Sequence, residues 1–339
     1  MIDYPWPVPP AMGDTAEVAP GVRWLRMPLP FRLDHINLWL LEDRGGWAVV
    51  DTGIGLGDTR ALWERLFDEG LDGKPVTRVI VTHFHPDHMG NAHWIVERFG
   101  VDLWCTQAEW LTARLASSGA LPLEQRMTYY RRNGVGDEGL QSLRGRAHHY
   151  TQVVPSVAPD FRCVRDGDGL AIGGREWEVL TTFGHSPEQA CLHARDGGVL
   201  ISADQILPKI TTNVSVWPDQ PHGDPLRLYL ASLERFKPMD ADTLVLPSHG
   251  LPFRGIAMRV AQLRAHHDAR LAELSEAIAA SPAPISAADM LPVLFRRELD
   301  VQQRFFAMGE AIAHLNYLWH RRRVARLRGA DGSYRFAIH

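Results

Sequence analysis

The segment best equipped for chemistry is Thr82–His88, which has the sequence Thr-His-Phe-His-Pro-Asp-His. Four of its side chains can bind a metal ion: His83, His85, Asp87 and His88. The first two histidines lie two positions apart, so in extended backbone their side chains share one face. Pro86 forces a turn that can direct the last two side chains towards a neighbouring point. One short loop could therefore supply two adjacent metal sites with imidazole and carboxylate ligands, which suit zinc and are tolerated by iron and manganese.

Two metal ions need more ligands than this loop supplies. Three further candidates follow apolar runs that predict buried strands: His185, Asp204 and His249. In α/β folds, binding sites form at the carboxyl ends of such strands. We therefore expect seven ligands for two divalent metal ions, with zinc the first expectation and iron or manganese the alternatives.

Short apolar or alternating runs predict the strands that position these residues. They are Val22–Met27, Asn37–Glu42, Trp47–Val50, Val79–Val81, Phe161–Val164, Trp177–Thr181, Cys191–His193, Val199–Ser202 and Thr243–Leu246. Asp43–Gly46 has the composition of a tight turn between two of these strands. Residues 106–155 mix helical stretches with a glycine-rich bend, which predicts an insertion or lid over the site. Strands and helices in two similar halves predict a layered α/β architecture.

The pattern becomes helical after Gly255. Apolar residues at steps of three and four predict one long amphipathic helix over Ile256–Ala279. Ser286 and Asp289 resemble a capping box that opens a second helix, and Val301–Arg322 predicts a third. Two alternating runs around Gly329–Ser333 then predict a hairpin. We expect a catalytic domain over residues 1–255 and a small α-helical, winged-helix-like domain over residues 256–339.

In their order along the chain, these motifs resemble the metallo-β-lactamase superfamily, and its glyoxalase-II-like branch in particular. The matching segments are Asp51-Thr52-Gly53, Thr82–His88, Gly184-His185, Asp204 and His249. The resemblance implies an α/β fold, the αββα sandwich. It also implies that His83, His85 and His185 bind one metal, that Asp87, His88 and His249 bind the other, and that Asp204 bridges the two. Asp51 would orient a ligand histidine without touching metal.

The resemblance implies a hydrolase in which a hydroxide between two metals attacks a carbonyl or phosphoryl centre. Asp87 would orient that hydroxide and move a proton, which makes it the candidate catalytic residue. True β-lactamases either have cysteine in the second site or lack the bridging aspartate. Diiron oxygen-reducing relatives have glutamate where this chain has His85. We therefore expect hydrolysis of a small ester, thioester or lactone.

Three alternatives stay open. One is a metal-dependent RNA endonuclease that binds RNA through the C-terminal domain, where Arg296–His339 holds nine arginines and four acidic residues. The excess of arginines over acidic residues also has a simpler explanation, which we favour: cations complement the dipole at the end of a helix and lie on a solvated face. The second alternative is a single-iron sulfur dioxygenase, because these enzymes share the Thr82–His88 motif. The third alternative is a binding protein with a relict site, which the complete ligand set disfavours.

Several residues have a less specific pattern. His35, Tyr129, Tyr130, His148 and His149 are candidates for contacts with a small-molecule substrate. Against this, a histidine at the start of a strand often only satisfies backbone groups, and tyrosines on a helix often pack in a core. We hold these five residues as candidate substrate contacts.

The composition limits the remaining classes. The 339 residues are 45% hydrophobic and 22% charged, with a formal net charge of −4, which argues against a nucleic-acid binder along its whole length. We find no secretory signal and no apolar run that could cross a membrane. The three scattered cysteines do not indicate a disulfide framework, so we expect a cytoplasmic protein. The long helix Ile256–Ala279 could mediate a homodimer.

Overall fold

The structure, a computed structural model, describes residues 1–120, 122–144 and 149–339. The candidate substrate contact His148 lies outside these residues. The chain forms two compact units. None of the helices in the described ranges combines the length and apolar character needed to cross a membrane.

The first unit comprises Met1–Ser118, His148–Thr212 and Phe236–Arg259. Its described residues form two sheets. The seven-stranded sheet has its strands in chain order: β1 (Thr15–Ala19), β2 (Val22–Pro28), β3 (His35–Asp43), β4 (Gly46–Val50), β5 (Val76–Ile80), β6 (Leu103–Cys105) and β7 (Arg162–Cys163). The five-stranded sheet has the order β12-β11-β10-β9-β8, with β8 (Gly169–Ile172), β9 (Arg175–Thr182), β10 (Gln189–Ala194), β11 (Val199–Ala203) and β12 (Leu244–Pro247).

Helices occur in both units. They are α1 (Gly57–Arg65), α2 (Pro86–Met89), α3 (Ala92–Phe99), α4 (Gln107–Ser118), α5 (Leu123–Arg132), α6 (Asp137–Arg144), α7 (His149–Val153), α8 (Pro225–Leu233), α9 (Ile256–Ala280), α10 (Leu291–Leu294) and α11 (Val301–His320). A π-helical turn, Leu66–Gly70, follows α1, and short 3-10 segments occupy Arg195–Gly197, Glu234–Phe236 and Ala288–Met290.

The first unit has two hydrophobic cores, because successive side chains along its strands point to opposite faces of a sheet. Trp24 and Trp39, with ring centroids 6.3 Å apart, belong to a cluster that includes Val179 and Ile201 of the five-stranded sheet. This core therefore fills the space between the two sheets. Leu38 and other residues of the opposite face pack with helical side chains. The antiparallel part β1–β4 and the parallel part β4–β7 share strand β4, and Asp43–Gly46 forms the hairpin between β3 and β4. The predicted layered α/β architecture is confirmed.

The second unit comprises Gly119–Ala147, Asn213–Arg235 and Val260–His339. It therefore combines most of the predicted C-terminal domain with two segments from earlier in the chain. The predicted long helix and the predicted third helix are confirmed as α9 and α11. The predicted hairpin is confirmed as β13 (Ala325–Arg328) paired with β14 (Tyr334–Ala337). The winged-helix assignment and the boundary near residue 255 stay predictions.

Candidate metal centre

The Thr82–His88 loop begins just after β5 ends and carries four candidate ligands into the first unit. His83 and His85 lie in the irregular backbone between β5 and α2. Pro86 occupies the first turn of α2, where its missing N–H costs no hydrogen bond, and it starts the helix that carries Asp87 and His88. The turn predicted at this proline is therefore confirmed, and it separates the four side chains into two pairs.

The first group of side chains is formed by His83, His85, His185 and Asp204. His83 Nε2 lies 3.0 Å from His85 Nδ1 and 3.2 Å from His185 Nε2. His185 Nε2 lies 3.3 Å from Asp204 Oδ2. These atoms lie close together although they come from two distant parts of the chain, with 102 positions between His83 and His185.

The second group is formed by Asp87, His88 and His249. His249 Nε2 lies 3.4 Å from Asp87 Oδ2, and His88 Nε2 lies 3.8 Å from the same oxygen. The other carboxylate oxygen of Asp204, Oδ1, lies 3.5 Å from His249 Nε2 and 3.7 Å from His88 Nε2. Each oxygen of Asp204 therefore faces a different group, as a bridging ligand would require.

Hydrogen bonds fix the outward-facing nitrogens of three histidines. His88 Nδ1 lies 2.8 Å from Asp51 Oδ2, and His83 Nδ1 lies 3.0 Å from the Thr82 hydroxyl oxygen. His249 Nδ1 donates to the backbone oxygen of His35 at 2.8 Å. Such partners hold a ligand ring in one orientation and one tautomer. Asp51 thus contacts His88, a candidate ligand, and its role in orienting that ring stays a prediction.

Burial and neighbouring charge shift the titration of these groups in opposite directions. Burial and the other histidines hold the pKa of His83 well below its usual value, and they lower the pKa of His85 to about 3. Burial would lower the pKa of His88 too, but Asp51 and Asp87 outweigh it and raise this pKa to about 9. The imidazoles of His83 and His85 are therefore neutral near pH 7, the form that binds metal.

The residues present fit a pair of divalent metal ions. Among the described residues, His88 Nε2 and Asp204 Oδ1 are buried polar atoms without a hydrogen-bond partner. An unpaired buried polar atom is costly, so its presence indicates a ligand or ion. Both atoms point into the centre of the cluster, and every donor there is an imidazole nitrogen or a carboxylate oxygen. The donor set alone does not select one metal.

The candidate substrate contacts lie in several places. His35 has both ring nitrogens engaged, since Nδ1 lies 2.7 Å from Asp34 Oδ1 and Nε2 accepts from the Gly250 N–H at 3.0 Å. Tyr129 and Tyr130 are buried in the second unit, where the Tyr129 hydroxyl donates to the Val216 oxygen at 2.9 Å. His149 begins α7. A role for these residues in binding substrate stays a prediction.

Glu109 is a buried residue of the site that the sequence patterns missed. It lies in α4, and its carboxylate accepts hydrogen bonds from the backbone beside His83 and His85 and from the segment after His185. Burial raises the pKa of this carboxyl group. A glutamate on a mixed helical stretch carries no signal of its own, because the same residue is common on solvated helix faces.

Comparison with known proteins agrees with this geometry. Residues 32–249 match the model of the metallo-beta-lactamase superfamily, and residues 271–339 match that of the metallo-beta-lactamase-like C-terminal domain. The crystal structure of a beta-lactamase domain protein from Burkholderia ambifaria is 51% identical, with a TM-score of 0.94, over 100% of this chain and 98% of that one.

Curated relatives are more distant. The "Probable metallo-hydrolase YqjP" of Bacillus subtilis is 23% identical over 87% of this chain and 91% of its own length. The acyl-coenzyme A thioesterase MBLAC2 of Bos taurus is 25% identical over 55% of this chain and 63% of its own length. A linear primary-alkylsulfatase from Pseudomonas is 26% identical over 64% of this chain, but the match covers only 42% of that enzyme.

The superfamily model covers the five-stranded sheet, the seven-stranded sheet from β3 onwards and all seven candidate ligands. The resemblance found in the sequence motifs is thereby confirmed at the level of the superfamily, while the glyoxalase-II-like branch stays a prediction. This chain is a metal-dependent hydrolase and belongs to the metallo-β-lactamase superfamily.

Proposed function

We propose that the chain holds two divalent metal ions, zinc first among them, and hydrolyses a small ester, thioester or lactone. The observation that carries the proposal is the position of Asp204, whose two carboxylate oxygens face the two groups of histidines separately. His83, His85 and His185 would hold one ion, and Asp87, His88 and His249 would hold the other. Ions bound there would lower the pKa of water and polarise a carbonyl group.

Asp87 is the residue that we propose to handle the proton. Its side chain is 19% exposed, compared with 4% for His249 and 0% for His88. Burial alone would raise the pKa of Asp87, but His88 and His249 lower it to about 2. The group is therefore a carboxylate at neutral pH. Being ionised and partly accessible, it could orient an attacking water and accept its proton, then return the proton to the leaving group.

A thioester is the substrate class that we would test first. It is supported by the relatives named acyl-coenzyme A thioesterase, whose similarity spans just over half of this chain. The RNA nuclease alternative has less support from the second unit. Arg321 forms an ion pair with Asp224 at 3.1 Å, and Arg326 lies over the ring of Trp319 at 3.5 Å. Two of the nine arginines in Arg296–His339 are thus already engaged.

Metal content tests the proposal directly. We expect about two metal ions per purified chain by elemental analysis, and fewer in the His83→Ala and His249→Ala variants. The matched control is His93→Ala, because His93 lies on α3 and pairs with Glu97 outside both groups. It should keep both ions. One iron per chain that survives His249→Ala would contradict the hydrolase proposal and favour sulfur oxidation.

Activity assays then address the substrate. The loaded enzyme should hydrolyse members of a thioester, lactone and ester panel with little dependence on salt. RNA cleavage that weakens steeply as salt increases would instead support the nuclease alternative, because phosphate contacts release counterions. In a chain that keeps both ions, Asp87→Ala should lower kcat strongly. A fully active and fully loaded Asp87→Ala variant would exclude the proposed proton role.

A further inference from the structure

Glu109 is a fully buried side chain of α4 in the first unit. It accepts three hydrogen bonds. The donors are the Phe84 N–H at 2.9 Å, the Ser186 hydroxyl at 2.7 Å and the Glu188 N–H at 2.6 Å. Burying a carboxylate is costly unless its oxygens are satisfied. These three donors satisfy it, and all of them come from two loops.

Those two loops supply the three histidines of the first group. Phe84 lies between His83 and His85, and Ser186 directly follows His185. The Glu109 side chain thus joins two segments that are distant in sequence, since His83 and His185 are 102 positions apart. The distance between these loops determines whether three imidazoles can reach one ion.

A second side chain holds the same loop from the other side. The Tyr150 hydroxyl, from α7, donates to the Phe84 oxygen at 2.7 Å. Both peptide groups of Phe84 are therefore held by side chains that come from residues 106–155. This segment was predicted to be an insertion or lid, and its helices α4 and α7 brace the metal-binding loop.

The second group of ligands has different support. His88 is held by Asp51 and His249 by the backbone of His35, and neither contact involves Glu109. Any effect of Glu109 should therefore be confined to the first group. A side chain that only stabilised the fold would weaken both groups together, which makes the two roles distinguishable.

We propose that Glu109 is a positioning residue that sets the affinity of the His83–His85–His185 group for its metal ion. The inference rests on the proposed function, since it needs a metal in that group. In Glu109→Gln, the amide oxygen can keep the bonds to Ser186 and Glu188, but the NH₂ group then faces the Phe84 N–H. Two donors cannot pair, so the His83–His85 loop loses the link to the His185 loop that runs through residue 109.

The test places Glu109→Gln in two backgrounds and measures metal binding by titration against a competing chelator. In His249→Ala, where only the first group is complete, Glu109→Gln should weaken zinc binding by about 10- to 100-fold. In His83→Ala, where only the second group is complete, the same change should leave zinc affinity as it was. Asp43→Asn is the matched control, because Asp43 is a buried carboxylate that accepts from Thr77 and the Arg44 N–H, far from both groups of ligands in sequence.

The possible results distinguish a failure of the positioning role of Glu109 from a failure of the proposed function. Equal zinc affinity with Glu or Gln in the His249→Ala background would overturn the positioning role and leave the dinuclear proposal standing. Equal weakening in both backgrounds would indicate a role in folding alone and overturn it too. A wild-type chain that binds no metal would instead refute the proposed function. Should Glu109→Gln fail to fold, Ser186→Ala takes its place, because it removes one of the three donors to Glu109: a loss confined to the first group supports the positioning role, and no loss overturns it.

Discussion

Asp51 shows how much one backbone conformation contributes to this site. Its φ is 62°, in the left-handed region that costs most L-residues about 1 kcal/mol or more and that aspartate and asparagine tolerate best. In this conformation the carboxylate reaches both ends of the ligand loop. Oδ1 accepts from the Thr82 N–H at 2.8 Å, and Oδ2 lies 2.8 Å from His88 Nδ1.

Asp51→Asn should therefore weaken the second metal group. Asparagine keeps the backbone conformation and the bond to Thr82, but its NH₂ group would face the protonated Nδ1 of His88. We expect zinc affinity of the second group to fall by about 10- to 100-fold, with kcat falling alongside. Asp72→Asn is the control, since Asp72 also has a positive φ, 56°, and is exposed beside Arg23. Unchanged zinc titrations for Asp51→Asn would contradict this role.

At this scale the sequence identifies the side chains that the fold brings together when several of them cluster in one segment or follow strand patterns. His83, His85, Asp87 and His88 are recognisable because four metal-binding side chains share one short loop. His185, Asp204 and His249 are recognisable because each follows a strand pattern. Glu109 and the backbone oxygen of His35 are not, because their roles depend on contacts that only the folded chain creates.

Among the elements, α2 is held against the loop that follows β4 by unusually close backbone contacts. The Thr52 N–H and hydroxyl both donate to the His88 oxygen, at 2.9 and 2.7 Å. A Cβ added at Gly90 would lie 2.4 Å from the Gly55 nitrogen and 2.5 Å from the Gly53 oxygen. Both of these are backbone atoms, which cannot rotate away.

Gly90→Ala should consequently push α2 off this loop and displace His88. We expect a loss of about 1–3 kcal/mol in the free energy of unfolding, measured with urea, and weaker metal binding. Gly57→Ala is the matched control. Gly57 begins α1, and an added Cβ there meets no atom within 4 Å, so the change should be neutral or stabilise by about 0.4–1 kcal/mol. A neutral Gly90→Ala would show that α2 can shift freely.

Long strands with an evident apolar pattern were predictable, and some short strands were not. β3 and β9 have nine and eight residues, and their apolar pattern is evident in the sequence. β6 has three residues and β8 has four, which is too few for a period to be recognised. The helices of residues 106–155 were predicted only as mixed helical stretches, because part of their burial depends on contacts distant in sequence.

For the molecule as a whole, buried histidines make stability depend on pH. In the second unit, His314 Nδ1 donates to the Glu310 oxygen at 2.8 Å, so its Nε2 accepts from His267 Nδ1 at 3.1 Å. Burial lowers the pKa of His314 to about 4 and that of His267 to about 2. His266 and Arg270 lower the pKa of His314 further, whereas burial raises the pKa of the nearby Glu310 carboxyl group to about 7.

The two histidines are protonated in the unfolded chain below about pH 6.5, but not in the folded one. Each should therefore lower the free energy of unfolding by up to about 1.4 kcal/mol per pH unit as the pH falls from 6.5 towards 4. Glu310 opposes this, because the stability it contributes is present below pH 4.5 and is lost as the pH rises through 7. The histidines outnumber it, so acid should destabilise this unit.

His314→Gln isolates one of these contributions. The variant should be less stable at pH 7, yet its urea-derived free energy of unfolding should fall less steeply between pH 6 and pH 5, by about 1 kcal/mol per pH unit. His339→Gln, at an exposed terminal residue, should retain the wild-type slope. Parallel pH profiles for His314→Gln and the wild type would show that His314 titrates normally in the folded chain.

The ligands of the metal centre also connect the two sheets of the first unit. His83 and His85 follow β5 of the seven-stranded sheet, whereas Asp204 and His249 follow β11 and β12 of the five-stranded sheet. An ion shared by these side chains acts as a crosslink across the sandwich, and it can form only after the sheets have docked. If the site holds metal as proposed, metal supply would determine the lifetime of the folded chain, because every ion bound selectively to the folded state withdraws chains from unfolding and proteolysis.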